Sequence, residues 1–310
     1  MAVFVIAVGA GIALTLRGQV TDAVDLLARP RSLPFLLTAL AANGAGVLLG
    51  TASWQALLAD LGPGVGRATG ARIYFTSFLS KFVPGRVWGL MTHIQMGRDA
   101  GVTGPVMVTV FLLNLVVSVL TGLALGMIAA PAVLGGQAWW LIAPALVLGS
   151  WVARPGILGR MAVTAARLTR RKPPAAFATD PGMRRAMGLA AASWLVSGLH
   201  LWAIAVLLGA NPWAALPLCV GGFALATSLS SLALFLPDGW GAREALLTAG
   251  LSTVLPWQAA AAAAIASRLV CTTSEVLVAG TVLVRTRRAG KPLPSAALTE
   301  PETILNRVES

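Results

Sequence analysis

The chain has 310 residues, of which 57% are hydrophobic and only 11% are charged. Soluble domains carry about 25% charged residues, so this composition is typical of a protein that crosses a membrane several times, and it argues against an ordinary soluble domain. The net charge of +12 does not indicate a nucleic-acid partner, because the basic residues form short runs between apolar blocks.

The apolar blocks predict an all-α polytopic membrane bundle. A span needs about 20 apolar residues, and blocks of suitable length cover residues 34–58, 105–129, 131–153, 186–209, 213–236 and 257–284. A shorter block at 2–16 is a candidate for one more span, and it lacks the basic start of a signal peptide. Together with interrupted blocks at 71–92 and 237–255, we predict seven or eight spans plus one or two broken or re-entrant helices.

The two interrupted blocks share a pattern. The first contains SKFVPGRVWG at 80–89, and the second overlaps FLPDGWGARE at 235–244. Both have Phe-x-Pro followed by Trp-Gly at slightly different spacing, which suggests a degenerate internal repeat. Unsatisfied backbone groups cannot face lipid, so such breaks are expected to line a polar cavity and to mark a transport site. The residues expected to break the helices are Pro84, Gly85, Gly89, Pro237, Gly239 and Gly241.

Cations beside these breaks predict a site for an anion. Lys81 and Arg86 flank the first break, Arg243 follows the second, and Arg268 lies inside the last long apolar block. A Lys or Arg at the centre of a span costs about 2.5–3.5 kcal/mol on insertion scales, which favours a functional role. We expect these four side chains to bind a phosphate or lipid head group. Interfacial anchoring of the first segment is the alternative.

Three carboxylates are expected to balance this charge or to accept a proton. Asp238 and Glu244 lie in the second broken segment, and Glu275 is two helical turns after Arg268. A purely structural ion-pair network among Arg268, Glu244 and Glu275 stays open as an alternative.

The remaining polar and small residues within the apolar blocks predict packing. Cys219 and Cys271 are interpreted as buried packing residues, and the isolated His93 and His200 indicate no metal or cofactor site. Interhelical hydrogen bonds are the favoured role of Asn114, Ser118, Ser193, Ser197 and His200, and close helix packing that of Gly46, Gly50, Gly122 and Gly126.

Residues 1–285 are predicted to form one transmembrane domain. The loop 154–185 holds eight basic residues against Asp180, so the positive-inside rule places it in the cytoplasm. Residues 286–310 begin with basic residues and continue without periodic apolar positions, which predicts a disordered cytoplasmic tail.

These motifs resemble one known family. SKFVPGRVWG, then Gly97-Arg98 and Ala-Gly-Val at 100–102, and later FLPDGWGARE with Arg268 downstream, are similar to the lysylphosphatidylglycerol synthase transmembrane family over roughly residues 30–285. The resemblance implies a flippase-like bundle in the bacterial cytoplasmic membrane. It implies an aminoacylated phospholipid or a polyprenyl-phosphate-linked intermediate as the lipid. Because the chain contains no aminoacyl-transferase domain, we expect a stand-alone member.

The sequence therefore favours a translocator of an anionic lipid over an enzyme. An intramembrane transferase that acts on a polyprenyl lipid is one alternative, although Asp238 and Glu244 are the only nearby carboxylate pair. A scaffold for envelope enzymes is the other. A Walker-type nucleotide motif is absent from the sequence, so transport is expected to be downhill or ion-coupled. The expected partners are the lipid, a glycosyltransferase and further copies of the chain, and nucleic acid is not expected.

Overall fold

The computed structural model describes residues 29–82, 87–129, 179–232 and 241–289, and it confirms the all-α class over these ranges. Short 3-10 turns at Pro30–Ser32 and Ser80–Phe82 accompany the α-helices. The α-helices, in chain order, are α1 Leu33–Leu61, α2 Arg67–Leu79, α3 Val87–Asp99, α4 Gly104–Gly126, α5 Asp180–Leu207, α6 Pro212–Leu232, α7 Ala242–Leu251 and α8 Trp257–Ala289.

Five of these helices are long and apolar enough to cross a membrane: α1, α4, α5, α6 and α8. They coincide with the predicted blocks 34–58, 105–129, 186–209, 213–236 and 257–284, so the protein is a multi-pass membrane protein. The predicted spans at 2–16 and 131–153, most of the basic loop 154–185 and the tail lie outside the described residues.

The contacts between the long helices define two ends of the bundle. Asp60, near the end of α1, accepts hydrogen bonds from the Thr179 N–H at 2.5 Å and its hydroxyl at 2.7 Å, just before α5 begins. Further along, the Ser193 hydroxyl of α5 donates to the Gly46 carbonyl oxygen at 2.7 Å. The two helices are therefore antiparallel. We call the end of the bundle where α1 finishes and α5 begins the Asp60 end. The opposite end, where α5 finishes and α8 begins, is the Trp257 end.

Helices α2 and α3 form the first broken segment. Each has 13 residues, or about 20 Å, which is too short to cross the roughly 30 Å hydrocarbon core. They lie side by side, with the Ser77 hydroxyl donating to the Gly89 carbonyl oxygen at 2.7 Å. Because α2 starts soon after α1 and α3 finishes close to the start of α4, the pair enters from the Asp60 end. Its tip, around Lys81, lies inside the bundle.

Helix α7 belongs to the second broken segment, and it approaches from the opposite end. It has 10 residues, about 15 Å in length, and it is followed directly by the turn into α8 at the Trp257 end. Its first residues therefore lie inside the bundle. The break after α6 was predicted from sequence, and residues 233–240 themselves lie outside the described residues.

Two glycine-rich crossings hold the long helices close together, as the glycine spacing predicted. A Cβ added at Gly46 of α1 would lie 3.0 Å from the Ser193 carbonyl oxygen of α5. One added at Gly122 of α4 would lie 3.1 Å from the Ala224 carbonyl oxygen of α6. Each glycine thus faces a backbone carbonyl and a serine hydroxyl one turn further on the neighbouring helix. Packing is confirmed as the role of these glycines.

Two adjacent glycines of α6 provide a matched test of this packing. A Cβ on Gly221 would lie 2.8 Å from the Ala129 backbone nitrogen and 2.9 Å from the Leu125 carbonyl oxygen, whereas Gly222 has open space within 4 Å among the described residues. We expect Gly221→Ala to destabilise the protein by about 1–3 kcal/mol, since backbone must move. Gly222→Ala should be neutral or slightly stabilising, because alanine favours a helix. Thermal unfolding in detergent measures both, and equal melting temperatures would contradict the packing.

Candidate functional site: a polar cavity between two broken segments

A cavity of about 340 Å³ lies in the middle of the bundle. All eight helices or their adjoining turns contribute to its lining, and the broken segments contribute Lys81, Gly89 and Arg243. Its volume is within the range of ligand pockets. The lining is rich in hydroxyl groups, which are supplied by Ser53, Tyr74, Ser77, Ser80, Ser118, Ser193, Ser197, Thr227, Ser228 and Ser231.

Lys81 places the first cation in this cavity. It follows α2 in the 3-10 turn at the tip of the first broken segment, and its Nζ is 2.7 Å from Glu275 Oε2 of α8. The ammonium group also lies 4.3 Å from the ring centroid of Phe78. The two side chains are only 24% and 12% exposed. A charge pair shielded in this way interacts more strongly than an exposed one.

Arg243 places the second cation in the same cavity. It is the second residue of α7 and is 4% exposed. Its Nη2 donates to Ser267 Oγ at 3.2 Å and contacts Cys271 Sγ at 3.3 Å. The guanidinium carbon lies 5.0 Å from the ring centroid of Phe223. Each broken segment therefore presents one cation against an aromatic ring.

Arg268 and Glu244 form a separate ion pair between α8 and α7. Neither is among the described residues that line the cavity. Glu244 Oε2 also accepts the Gly241 N–H at 2.8 Å, which caps the start of α7. Gly241 has a φ of 84°, a left-handed conformation that favours glycine. This pair thus fixes where α7 begins, and a phosphate-binding role of Arg268 stays a prediction.

The structure brings together part of the site predicted from sequence. Lys81, Arg243, Glu275 and Gly89 line one cavity. Glu275 pairs with Lys81, whereas the alternative network grouped it with Arg268 and Glu244. The other predicted residues lie outside the described residues, and their roles stay predictions: Arg86, Pro84, Gly85, Pro237, Asp238 and Gly239.

Several cavity residues were not predicted as functional. The hydrogen-bonding role of the α5 stripe is confirmed by Ser193 and by His200, whose Nε2 is 2.7 Å from Ser267 Oγ. Cys219 and Cys271 are both buried in the apolar core, as predicted, and Cys271 also lines the cavity beside Arg243. The sequence feature that could have indicated these cavity residues is the recurrence of small polar residues within the apolar spans. The lining residues that escaped prediction include Trp54, His93, Thr227 and Ser228.

Chemically, the arrangement suits recognition of a polar anion. Within the described ranges, no three His, Cys, Asp or Glu side chains cluster as a metal site would need. Guanidinium and ammonium groups are the usual protein ligands of phosphate. The half-helix α7 also directs its N-terminal end, which carries partial positive charge, towards the interior of the bundle.

Comparison with known proteins agrees with the motifs and with the fold. A family model described as the lysylphosphatidylglycerol synthase TM region matches residues 2–279. A search of curated proteins found no match. The match covers most of the sequence, including both broken segments, the first four described spans and most of the fifth. The chain therefore belongs to the lysylphosphatidylglycerol synthase transmembrane family.

Proposed function

We propose that this protein moves an anionic lipid between the two leaflets of the membrane, with the head group passing through the cavity. One observation carries the proposal. Two broken segments enter the bundle from opposite ends, and each contributes a cation, Lys81 or Arg243, to a single cavity. Paired broken helices that meet near mid-membrane are characteristic of transport sites.

The charges explain how an anion is received. Among the described lining residues, Lys81 and Arg243 carry positive charge and Glu275 carries negative charge. A phosphate would replace the Glu275 carboxylate as the partner of Lys81 and add the Arg243 guanidinium. Because charges are costly to move into a bilayer, a prearranged pair that exchanges partners lowers the barrier for the head group.

The placement of the half-helices suggests the path. Movement of α2 and α3 would open the cavity towards the Asp60 end, and movement of α7 would open it towards the Trp257 end. The acyl or prenyl chains would stay in the bilayer. In this proposal the protein lies in the bacterial cytoplasmic membrane, the basic loop and C-terminus are cytoplasmic, and the lipid moves downhill or with a proton carried by Glu275 or Glu244.

Reconstitution in liposomes tests the proposal. Fluorescent phosphatidate and a fluorescent neutral diacylglycerol with the same chains would be placed in the inner leaflet, and their arrival outside followed by quenching with a membrane-impermeant reagent. Transfer is expected to be faster than in empty liposomes only for phosphatidate. Protein-independent rates for both lipids would overturn the proposal. Mass spectrometry of the same samples would reveal a chemically altered lipid, which would instead indicate a transferase.

A further inference from the structure

We propose that His200 of α5 positions the Arg243 guanidinium for the lipid phosphate without touching the lipid itself. The proposal rests on the proposed function, in which Arg243 binds the phosphate, and it adds a residue that sets how tightly the phosphate is bound. His200 and Ser267 are both 0% exposed, and neither is among the described residues that line the cavity. Any effect of these two residues on lipid binding must therefore pass through a neighbour.

A chain of buried hydrogen bonds connects His200 with Arg243. His200 Nδ1 lies within hydrogen-bond distance of the Ser197 carbonyl oxygen, which can only accept, so Nδ1 carries a hydrogen. In the neutral ring the other nitrogen, Nε2, is then an acceptor, and the Ser267 hydroxyl donates to it at 2.7 Å. The Ser267 oxygen in turn accepts from Arg243 Nη2 at 3.2 Å. The hydrogen bonds thus run in one direction, from α7 through α8 to α5.

Cys271 is a weaker partner of the same imidazole. Its Sγ is 3.5 Å from His200 Nε2, whereas the Ser267 hydroxyl is at 2.7 Å. The thiol can direct its hydrogen to Asn43 Oδ1, at 3.6 Å, and a thiol is a weak donor in any case. His200 Nε2 is therefore assigned to Ser267.

His200 also supports the aromatic ring on which Arg243 lies. The imidazole packs edge-on against Phe223 of α6, with 4.7 Å between the ring centroids. The Arg243 guanidinium carbon lies 5.0 Å from the centroid of that same Phe223 ring. His200 thus contacts two groups that hold the guanidinium, the Ser267 hydroxyl and the Phe223 ring.

A guanidinium that is already held in place binds an anion more tightly. An arginine side chain has many rotamers, and the freedom that it loses on binding weakens a complex unless the protein has restricted it beforehand. Loss of His200 is therefore expected to raise the lipid concentration for half-maximal transfer and to leave the maximal rate nearly unchanged. General damage to the fold would instead lower the maximal rate, because fewer molecules would be active.

Variants in the liposome assay with phosphatidate test the proposal. We expect His200→Leu and Ser267→Ala each to raise the half-maximal lipid concentration about tenfold, the size expected when a hydrogen bond to a charged group is lost. His200→Gln retains an oxygen that can accept from Ser267, so its loss should be smaller. His200→Leu combined with Arg243→Lys should differ little from Arg243→Lys alone, since both changes disturb the same guanidinium.

Trp202→Phe is the matched control in the same helix. It removes a different hydrogen bond of α5, from Trp202 Nε1 to the Pro212 carbonyl oxygen at 2.8 Å. The described lining does not include Trp202. This variant should have a lower melting temperature and an unchanged half-maximal lipid concentration.

The imidazole itself gives a readout that does not depend on transport. The chain contains only two histidines, His93 and His200. Protein without a histidine tag, prepared with isotope-labelled histidine, therefore gives two sets of ring signals in nuclear magnetic resonance spectra, and the His200→Gln variant identifies one of them. We expect His200 to be the Nδ1–H tautomer, and we expect its signals to shift as short-chain phosphatidate is added.

Three results would overturn the proposal while phosphatidate transfer stands: an Nε2–H tautomer of His200, additive effects of His200→Leu and Arg243→Lys, or variants that lower only the melting temperature and the maximal rate. If His200→Leu does not fold, Ser267→Ala and the tautomer decide. If the unchanged protein binds phosphatidate without transferring it, the proposed function fails, and affinities from the same titration replace the half-maximal concentrations in every comparison.

Discussion

Replacement of Lys81 by methionine is expected to slow transfer of an anionic lipid by more than tenfold. Methionine keeps much of the length of the side chain but removes the charge that lies 2.7 Å from Glu275. Truncating one partner of a buried charge pair costs about 2–5 kcal/mol, and much of that cost comes from the charge left behind. The liposome assay measures the effect on transfer, and thermal unfolding measures the effect on stability.

The double variant Lys81→Met/Glu275→Gln separates a binding role from a structural one. Removing both charges also removes the unpaired carboxylate, so the melting temperature is expected to recover towards that of the unchanged protein. Transfer should stay slow, because the cation for the phosphate is still missing. Recovery of transfer together with stability would show that the pair only holds the helices. Arg184→Gln, which removes an exposed cation near the start of α5, is the matched control and should transfer normally.

Replacement of Arg243 by lysine is expected to be nearly as damaging, although the charge is retained. The guanidinium contacts Ser267 and Cys271 while lying over the ring of Phe223. A lysine ammonium cannot keep these contacts and present a planar pair of donors to a phosphate. We expect a loss of about tenfold or more in transfer, seen as a higher lipid concentration for half-maximal rate.

Arg268→Lys is the control for Arg243→Lys, because it makes the same substitution at an arginine outside the described cavity lining. Arg268 pairs with Glu244 beside the start of α7, and the described lining does not include it. The variant should lower the melting temperature modestly and leave the dependence on lipid concentration unchanged. A loss of lipid affinity equal to that of Arg243→Lys would instead support the prediction from sequence that Arg268 contacts phosphate.

The long helices and the first break were predictable because their physical causes are local. A run of apolar residues that is long enough, as a helix, to cross a bilayer specifies a span. Each of the five described spans coincides with such a run. Around Lys81, proline, glycine and charge in succession contradict a continuous helix, and the described residues on either side, 71–82 and 87–92, belong to two separate short helices. The cation beside each break, Lys81 or Arg243, was predictable because it is adjacent to the break in the sequence.

The partners within the site were not predictable, because they depend on which helices become neighbours. Glu275 could be placed on a face of α8 with Arg268 from spacing alone. Only the packed bundle brings the tip of α2 to that face, where Lys81 is the partner. Likewise, Cys271 has the sequence context of a packing residue, and its contact with Arg243 appears only when α7 folds against α8. The buried hydroxyls of Thr227 and Ser228 have no hydrogen-bond partner among the described residues, which no sequence pattern records.

The most direct test of a shared, hydrated, anion-attracting cavity uses the native thiols. Both thiols are buried, but Cys271 lines the cavity beside Arg243, whereas Cys219 is 0% exposed and is not among the described lining residues. In folded protein reconstituted in liposomes, small methanethiosulfonate reagents bearing negative or positive charge would be compared, with Cys219→Ala and Cys271→Ala variants identifying the modified residue.

If Lys81 and Arg243 face water in one cavity, Cys271 should react, the negatively charged reagent should react faster than the positively charged one, and short-chain phosphatidate should slow the reaction. A Cys271 that reacts only after unfolding, or one that reacts faster with the positively charged reagent, would contradict it.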